Sequence, residues 1–131
     1  MSSATPFGPP LTAEGVTVVP RLENGVLHIA MSGAVEMRDP GVVFNPYWNG
    51  IDDDIRRKGI KRVVVDMRDL NFMNSSGILT LVRWITRVKG HGNQPYKIEL
   101  QFDRNVTWQR TSVPTLAKLA PEIATATEIN G

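Results

Sequence analysis

The chain has 131 residues, 41% hydrophobic and 21% charged, which is ordinary globular usage for one domain and excludes disordered and membrane-embedded classes. Its formal net charge is only +2, from 15 basic and 13 acidic residues with no dense Lys/Arg block, so direct nucleic-acid binding is not expected. There is no cysteine, which excludes disulfides, thiolate metal sites and Cys nucleophiles and fits a reducing compartment.

Met1–Glu14 is rich in Ser, Thr, Pro and Gly without periodicity, and reads as a flexible N-terminal tail ahead of one domain over 15–131. It lacks the charged start and apolar stretch of a signal peptide, and no run is long enough to cross a bilayer. A cytoplasmic protein without membrane insertion is the expectation. Val16–Arg21 and Val26–Gly33 read as strands around the turn Glu23-Asn24-Gly25, because an Asn-Gly pair tolerates the positive φ of a tight hairpin. Arg38-Asp39-Pro40-Gly41 reads as a turn. A helix is then predicted from the cap Asn45 and Pro46 at its first position to the stop at Gly59. Within it Tyr47, Trp48, Ile51 and Ile55 recur at helical spacing, and Asp52, Asp53, Arg56, Arg57 and Lys58 are assigned to the solvated face.

Arg62–Asp66 is a continuous β-branched run, the pattern of a central strand buried on both sides. Met67–Asn74 reads as a connection. From Ser76, Ile78, Leu81, Val82, Ile85 and Val88 trace a helical stripe to Gly90, with His91-Gly92-Asn93 as the exit loop. Lys97–Phe102 alternates as a strand, Val106–Ala120 reads as a helix interrupted at Pro114, and Ile123–Ile129 as an edge strand. The order β-β-α-β-α-β-α-β contains βαβ units, so helices should pack on a mainly parallel or mixed sheet.

The stretch Phe72-Met73-Asn74-Ser75-Ser76-Gly77 carries the chemistry. Asn74 or Ser75 ahead of the helix satisfies one of its orphan amides, a cap that stabilises by about 1 kcal/mol. The same helix start bears roughly half a positive charge and so tolerates a phosphate. Gly77 stands where alanine would favour the helix by up to about 1 kcal/mol, which reads as a residue kept small for access by another protein.

Val63-Val64-Val65-Asp66, followed after a loop by Phe72-Met73-Asn74-Ser75-Ser76-Gly77-Ile78, resembles the signature of the STAS domain family, the anti-sigma factor antagonists and their relatives. In that family a strand ending in Asp is followed by a D-S/T-S-G-hydrophobic motif at a helix start. The resemblance places Asp66 at the strand-end Asp, Asn74 at the motif Asp, Ser75 at the first hydroxyl, Ser76 at the phosphorylated serine, with Ser75 second choice, and Gly77 at the glycine. It implies a single α/β domain, a four- to five-stranded mixed sheet with about three to four helices. It further implies a non-enzymatic partner-switching regulator without catalytic residues, cofactor or metal. The partners would be an anti-sigma factor or serine-kinase-type protein and a cognate phosphatase, meeting a surface of Asp66, Met73, Asn74, Ser75, Ser76, Gly77 and Leu79. Asn74 departs from the family pattern, being neutral where a carboxylate is usual. That departure favours the alternative, a phosphorylation-independent STAS module serving a signalling assembly or a transporter. A third class, a kinase–phosphatase-controlled subunit regulating an enzyme, would use the same site.

Other chemistries fare worse. A serine hydrolase needs a general base, and His28 and His91 fall in a strand and a loop with no G-x-S-x-G elbow. Asp52, Asp53 and Asp54 point in different directions on a helix and lack the alternating ligands of a calcium loop. A nucleotide loop would want more glycines and a lysine around Gly77. Trp48, Trp84 and Trp108 read mainly as packing, with Trp84 a partner-facing residue if it lies opposite the apolar stripe.

Overall fold

The computed structural model describes residues 4–92 and 95–129. In chain order it contains β1 (Thr5–Pro6), β2 (Leu11–Ala13), β3 (Val16–Glu23), β4 (Val26–Val35), α1 (Pro40–Lys58), β5 (Arg62–Met73), α2 (Ser75–Lys89), β6 (Lys97–Phe102), α3 (Thr107–Lys118) and β7 (Ala124–Glu128). The fold is a mixed α/β sheet with order β1-β3-β4-β5-β6-β7, and β2 also pairs with β3.

Asn24 and Gly25, at φ 53° and 79°, make the tight turn joining β3 to β4 in antiparallel register, Glu23 opposite Val26. From β4 onward every pairing is parallel, and each crossover advances one strand in the same direction. Right-handed crossovers then put α1, α2 and α3 on one face of the sheet. The burial pattern agrees: Leu27, Ile29 and Met31, then Val63, Val65 and Met67, then Ile98, Leu100 and Phe102 are buried, while His28 and Ala30 are exposed. The expectation that this β5 run is buried on both sides holds for Val63, Val64 and Val65, although the helices cover only one face. Val64 turns to the uncovered face and is shielded in register by His28 and Glu99.

Seven strands exceed the four or five expected, because the segment read as a tail supplies two. Thr5–Pro6 and Leu11–Ala13 pair with β3, and Phe7 is buried, its amide donating to the Pro20 carbonyl at 3.1 Å and its ring lying under Lys58 Nζ. Met1–Ser3 of that segment, and Asn93 of the expected exit loop, lie outside the described residues.

The helix expected to start at Asn45 starts at Pro40, with Asp39 preceding it and Pro46 inside. Pro40 occupies the position where proline's fixed φ suits a first turn. The earlier start also brings Phe44 onto the buried stripe of Trp48, Ile51 and Ile55. Burying a phenylalanine contributes about 2–3 kcal/mol, enough to offset much of the penalty of an interior proline. Pro114 likewise lies inside an uninterrupted α3, whose Val113, Leu116 and Ala117 are buried.

β5 runs 12 residues to Met73 and does not end at Asp66. Its extension follows β4, with irregular register between Ala30 and Ser32 and between Gly33 and Ala34, out to Val35 opposite Met73. The link from β5 to α2 is therefore Asn74 alone.

Candidate functional site

Asn74 joins β5 to α2 and is bonded on every side. Its amide N–H donates to the Val35 carbonyl at 3.0 Å. Its side-chain Oδ1 accepts from the Gly77 amide at 2.8 Å, and its Nδ2 donates to the Met37 carbonyl at 3.0 Å. The partners decide the orientation of the side chain, since a backbone N–H must face oxygen and a carbonyl must face the NH2 group. An aspartate here could cap α2 but could not donate to Met37, so the neutral residue at this motif position has a structural reason.

Because Asn74 takes the cap, the serines are released from that duty. Ser75 and Ser76 are the first two residues of α2, both exposed, and neither side chain has a hydrogen-bond partner among the described residues. Their backbone lies where the amides of the first turn still point outward. No acidic residue occupies that first turn to screen it. Phe72 and Leu79, 45% and 44% exposed, flank the pair with apolar surface.

Two of the anticipated switch residues lie beneath the surface. Met73 is buried as the last residue of β5. Gly77 is also buried: a Cβ added there would sit 2.9 Å from Met73 Cγ and from Val35 Cγ1. Gly77 is thus required by the close approach of α2 to the ends of β4 and β5, which corrects the reading that it keeps the surface open for a partner. Met73 and Gly77 position the serines without presenting themselves.

Asp66 is not brought to the serines. It is the fifth residue of β5, on the helix-free face of the sheet, in register with Ala30 and Gln101. There it accepts from Arg68 Nε and Nη2, both at 2.9 Å, and from the Arg68 amide at 3.1 Å. The hydrogen bonds from Arg68 hold its carboxyl below the usual value against the opposing effect of burial. Beyond it, Gln109 and Trp108 of α3 cap the β5 carbonyls, Gln109 Nε2 reaching Met67 at 2.6 Å and Trp108 Nε1 reaching Leu70 at 2.7 Å.

The far end of α2 holds residues that sequence reasoning misassigned. Asp52, placed on the solvated face of α1, is fully buried. It accepts from the Tyr96 hydroxyl at 2.6 Å, Arg87 Nε at 2.8 Å and His91 Nε2 at 2.9 Å. Burial by itself would raise its pKa, but the hydrogen bonds from Tyr96, Arg87 and His91 outweigh it and the net direction is downward. The signal was present: Asp52 lies four residues after Trp48 and three before Ile55, on the apolar stripe. Trp84, considered as a partner-facing residue, is buried, stacked on Trp48 with ring centroids 4.8 Å apart and donating to the Tyr96 hydroxyl at 2.9 Å. His91, read as a loop residue only, is drawn in by Asp52.

No described helix is long and apolar enough to cross a membrane. No curated protein shows a significant match to this sequence. Among solved structures, the crystal structure of an anti-sigma factor antagonist from Mycobacterium paratuberculosis superposes with a TM-score of 0.62 at 17% sequence identity, covering 89% of this chain and 90% of that one. At that identity the likeness is one of fold. The family model described as STAS domain matches residues 26–126, from the start of β4 into β7. That span covers the helix-start serines and most of the sheet, and the chain belongs to the STAS domain family.

Proposed function

We propose that this protein is an anti-sigma factor antagonist-like regulator, a non-enzymatic partner-switching module whose switch is phosphorylation of Ser76. The observation that carries the proposal is the division of labour at the start of α2. Asn74 caps the helix, and Ser76 stands exposed beside the first-turn amides with no side-chain hydrogen bond among the described residues. A phosphate placed there adds about −1.5 to −2 charges where a helix N-terminus stabilises them. On a contact surface formed with Phe72, Ser75 and Leu79, the same charge repels acidic partner groups and adds a desolvation cost, so the partner is released. The proposed partner is an anti-sigma factor or serine-kinase-type protein, with a phosphatase to reset the site in the cytoplasm. Ser75, equally exposed, is the second acceptor.

One observation favours a second reading, a STAS module that binds its partner without phosphorylation. Both polar ends of the Asn74 side chain are committed to Gly77 and Met37, so neither is free to orient a hydroxyl or a metal during phosphoryl transfer. Intact-mass analysis of the protein from its own cells, with and without phosphatase, separates the two. A removable phosphate mapping to Ser76, with co-purification of a kinase-type partner kept by Ser76→Ala and lost by Ser76→Asp, is the expected result. Equal partner binding by both variants would sink the switch and leave the constitutive module.

A further inference from the structure

A concave site lies about 22 Å from the serines, the length of the 15-residue α2, where the helix ends and His91 follows. It is an open concavity of about 410 Å³ lined by Arg56, Arg57, Gly59, Ile60, Lys61 and His91. That volume falls in the range of small-molecule pockets, between about 300 and 1,000 Å³. Four of its six lining residues are basic or imidazole, and none is acidic. These residues come from the end of α1, the link to β5 and the exit of α2, so the clustering is absent from the sequence as a run.

We propose that this pocket binds a small multiply charged anion of the phosphate type. The walls are built to stay in place. Gly59, at φ 68°, turns the chain out of α1, and the Ile60 amide returns to the Ile55 carbonyl at 3.1 Å, which fixes where Lys61 departs. His91 is held by its Nε2 on Asp52, a fully buried carboxylate, which fixes the imidazole ring as one wall of the pocket. Arg57 is paired with Asp54 at the surface, an exposed pair of small worth that an incoming anion displaces readily. Arg56 is exposed and has no salt-bridge partner among the described residues. The carbonyl end of α1 also faces this region and carries partial negative charge, so the attraction must come from the side chains. The guanidiniums of Arg56 and Arg57 suit an anion with several phosphoryl oxygens, because each offers a planar fork of donors to two of them. The site does not depend on the serines, and its success or failure leaves the phosphorylation switch untouched.

The test is titration of the full chain with inorganic tripolyphosphate at low salt, followed by calorimetry and by amide chemical shifts. Saturable binding that perturbs residues 56–61 and His91, and that weakens about tenfold or more in Arg56→Gln/Arg57→Gln, is expected. A matched control, Arg110→Gln/Lys118→Gln on α3, should bind as the parent does. Co-sedimentation with phosphatidylcholine vesicles, with and without phosphatidic acid, distinguishes the ligand's source. Binding to the vesicles that requires the same two arginines assigns the phosphate to a lipid headgroup, and binding to tripolyphosphate alone assigns a soluble ligand. Binding to neither, equal loss in the control variant, or preference for a polyglutamate peptide over both phosphate probes would overturn the proposal.

Discussion

The two ends of α2 are secured by opposite means. At the C-terminal end a buried carboxylate, Asp52, gathers Arg87, His91 and Tyr96, and Tyr96 in turn receives the Trp84 indole N–H. At the N-terminal end one asparagine and one close-packed glycine hold the backbone, and the Ser75 and Ser76 hydroxyls make no hydrogen bond among the described residues. The contrast shows how a helix can be fixed in place and still carry a site for modification. Rigidity comes from groups that are buried and fully bonded, while the exposed hydroxyls contribute almost nothing to stability. Charge can then be added at Ser76 without dismantling a structural network.

The largest effect is expected at Asp52. Asp52→Ala leaves Tyr96 and His91 without their acceptor and should destabilise by about 3 kcal/mol, read from urea unfolding. Its pH dependence identifies the ion. A carboxyl held below its ordinary value of 3.8 contributes stability that is present above that pH and is lost as pH falls through the lower folded-state value. The gap between parent and Asp52→Asn should therefore narrow as pH drops below about 4. A gap that is the same at neutral and acid pH would mean the charge is irrelevant to the network.

Next in size is Asn74→Asp. The variant keeps the cap on Gly77 but sets a carboxylate against the Met37 carbonyl, losing about 1–2 kcal/mol, of which the helix start returns up to about 1. Stability equal to or above the parent would show that the Met37 bond is dispensable and that the neutral residue has another cause. Gly77→Ala sets about 1–3 kcal/mol of overpacking against Met73 and Val35 over roughly 1 kcal/mol of helix propensity, for a net loss near 1 kcal/mol. A gain in thermal stability would restore the reading that the glycine serves access. The smallest effect is expected at Ser76: Ser76→Ala should leave unfolding within about 0.5 kcal/mol of the parent, since the hydroxyl is exposed and makes no hydrogen bond among the described residues. A larger loss would mean Ser76 contributes to the cap after all.

Much of this protein follows from local sequence. The Asn24-Gly25 hairpin, the alternating β6 strand, the β-branched start of β5 and the apolar stripe of α2 are set by turn chemistry and by periods of two and 3.6, which act over a few residues. The helix-start serines, and the family to which the chain belongs, were legible for the same reason: a short motif sits at a predictable junction. Other features needed the tertiary structure because they depend on residues distant in the chain. Pairing with β3 drew Thr5–Pro6 and Leu11–Ala13 out of an apparent tail, and pairing with β4 carried β5 seven residues beyond Asp66. Core burial of Phe44 moved the start of α1 ahead of Asn45. Whether Asp52 faced water or a ring of donors depended on Arg87, His91 and Tyr96, 35 to 44 residues away. Gly77 could pass for an exposed residue until Val35 was found against it, because steric exclusion at one Cβ is a property of the packed chain and leaves no trace in the periodicity.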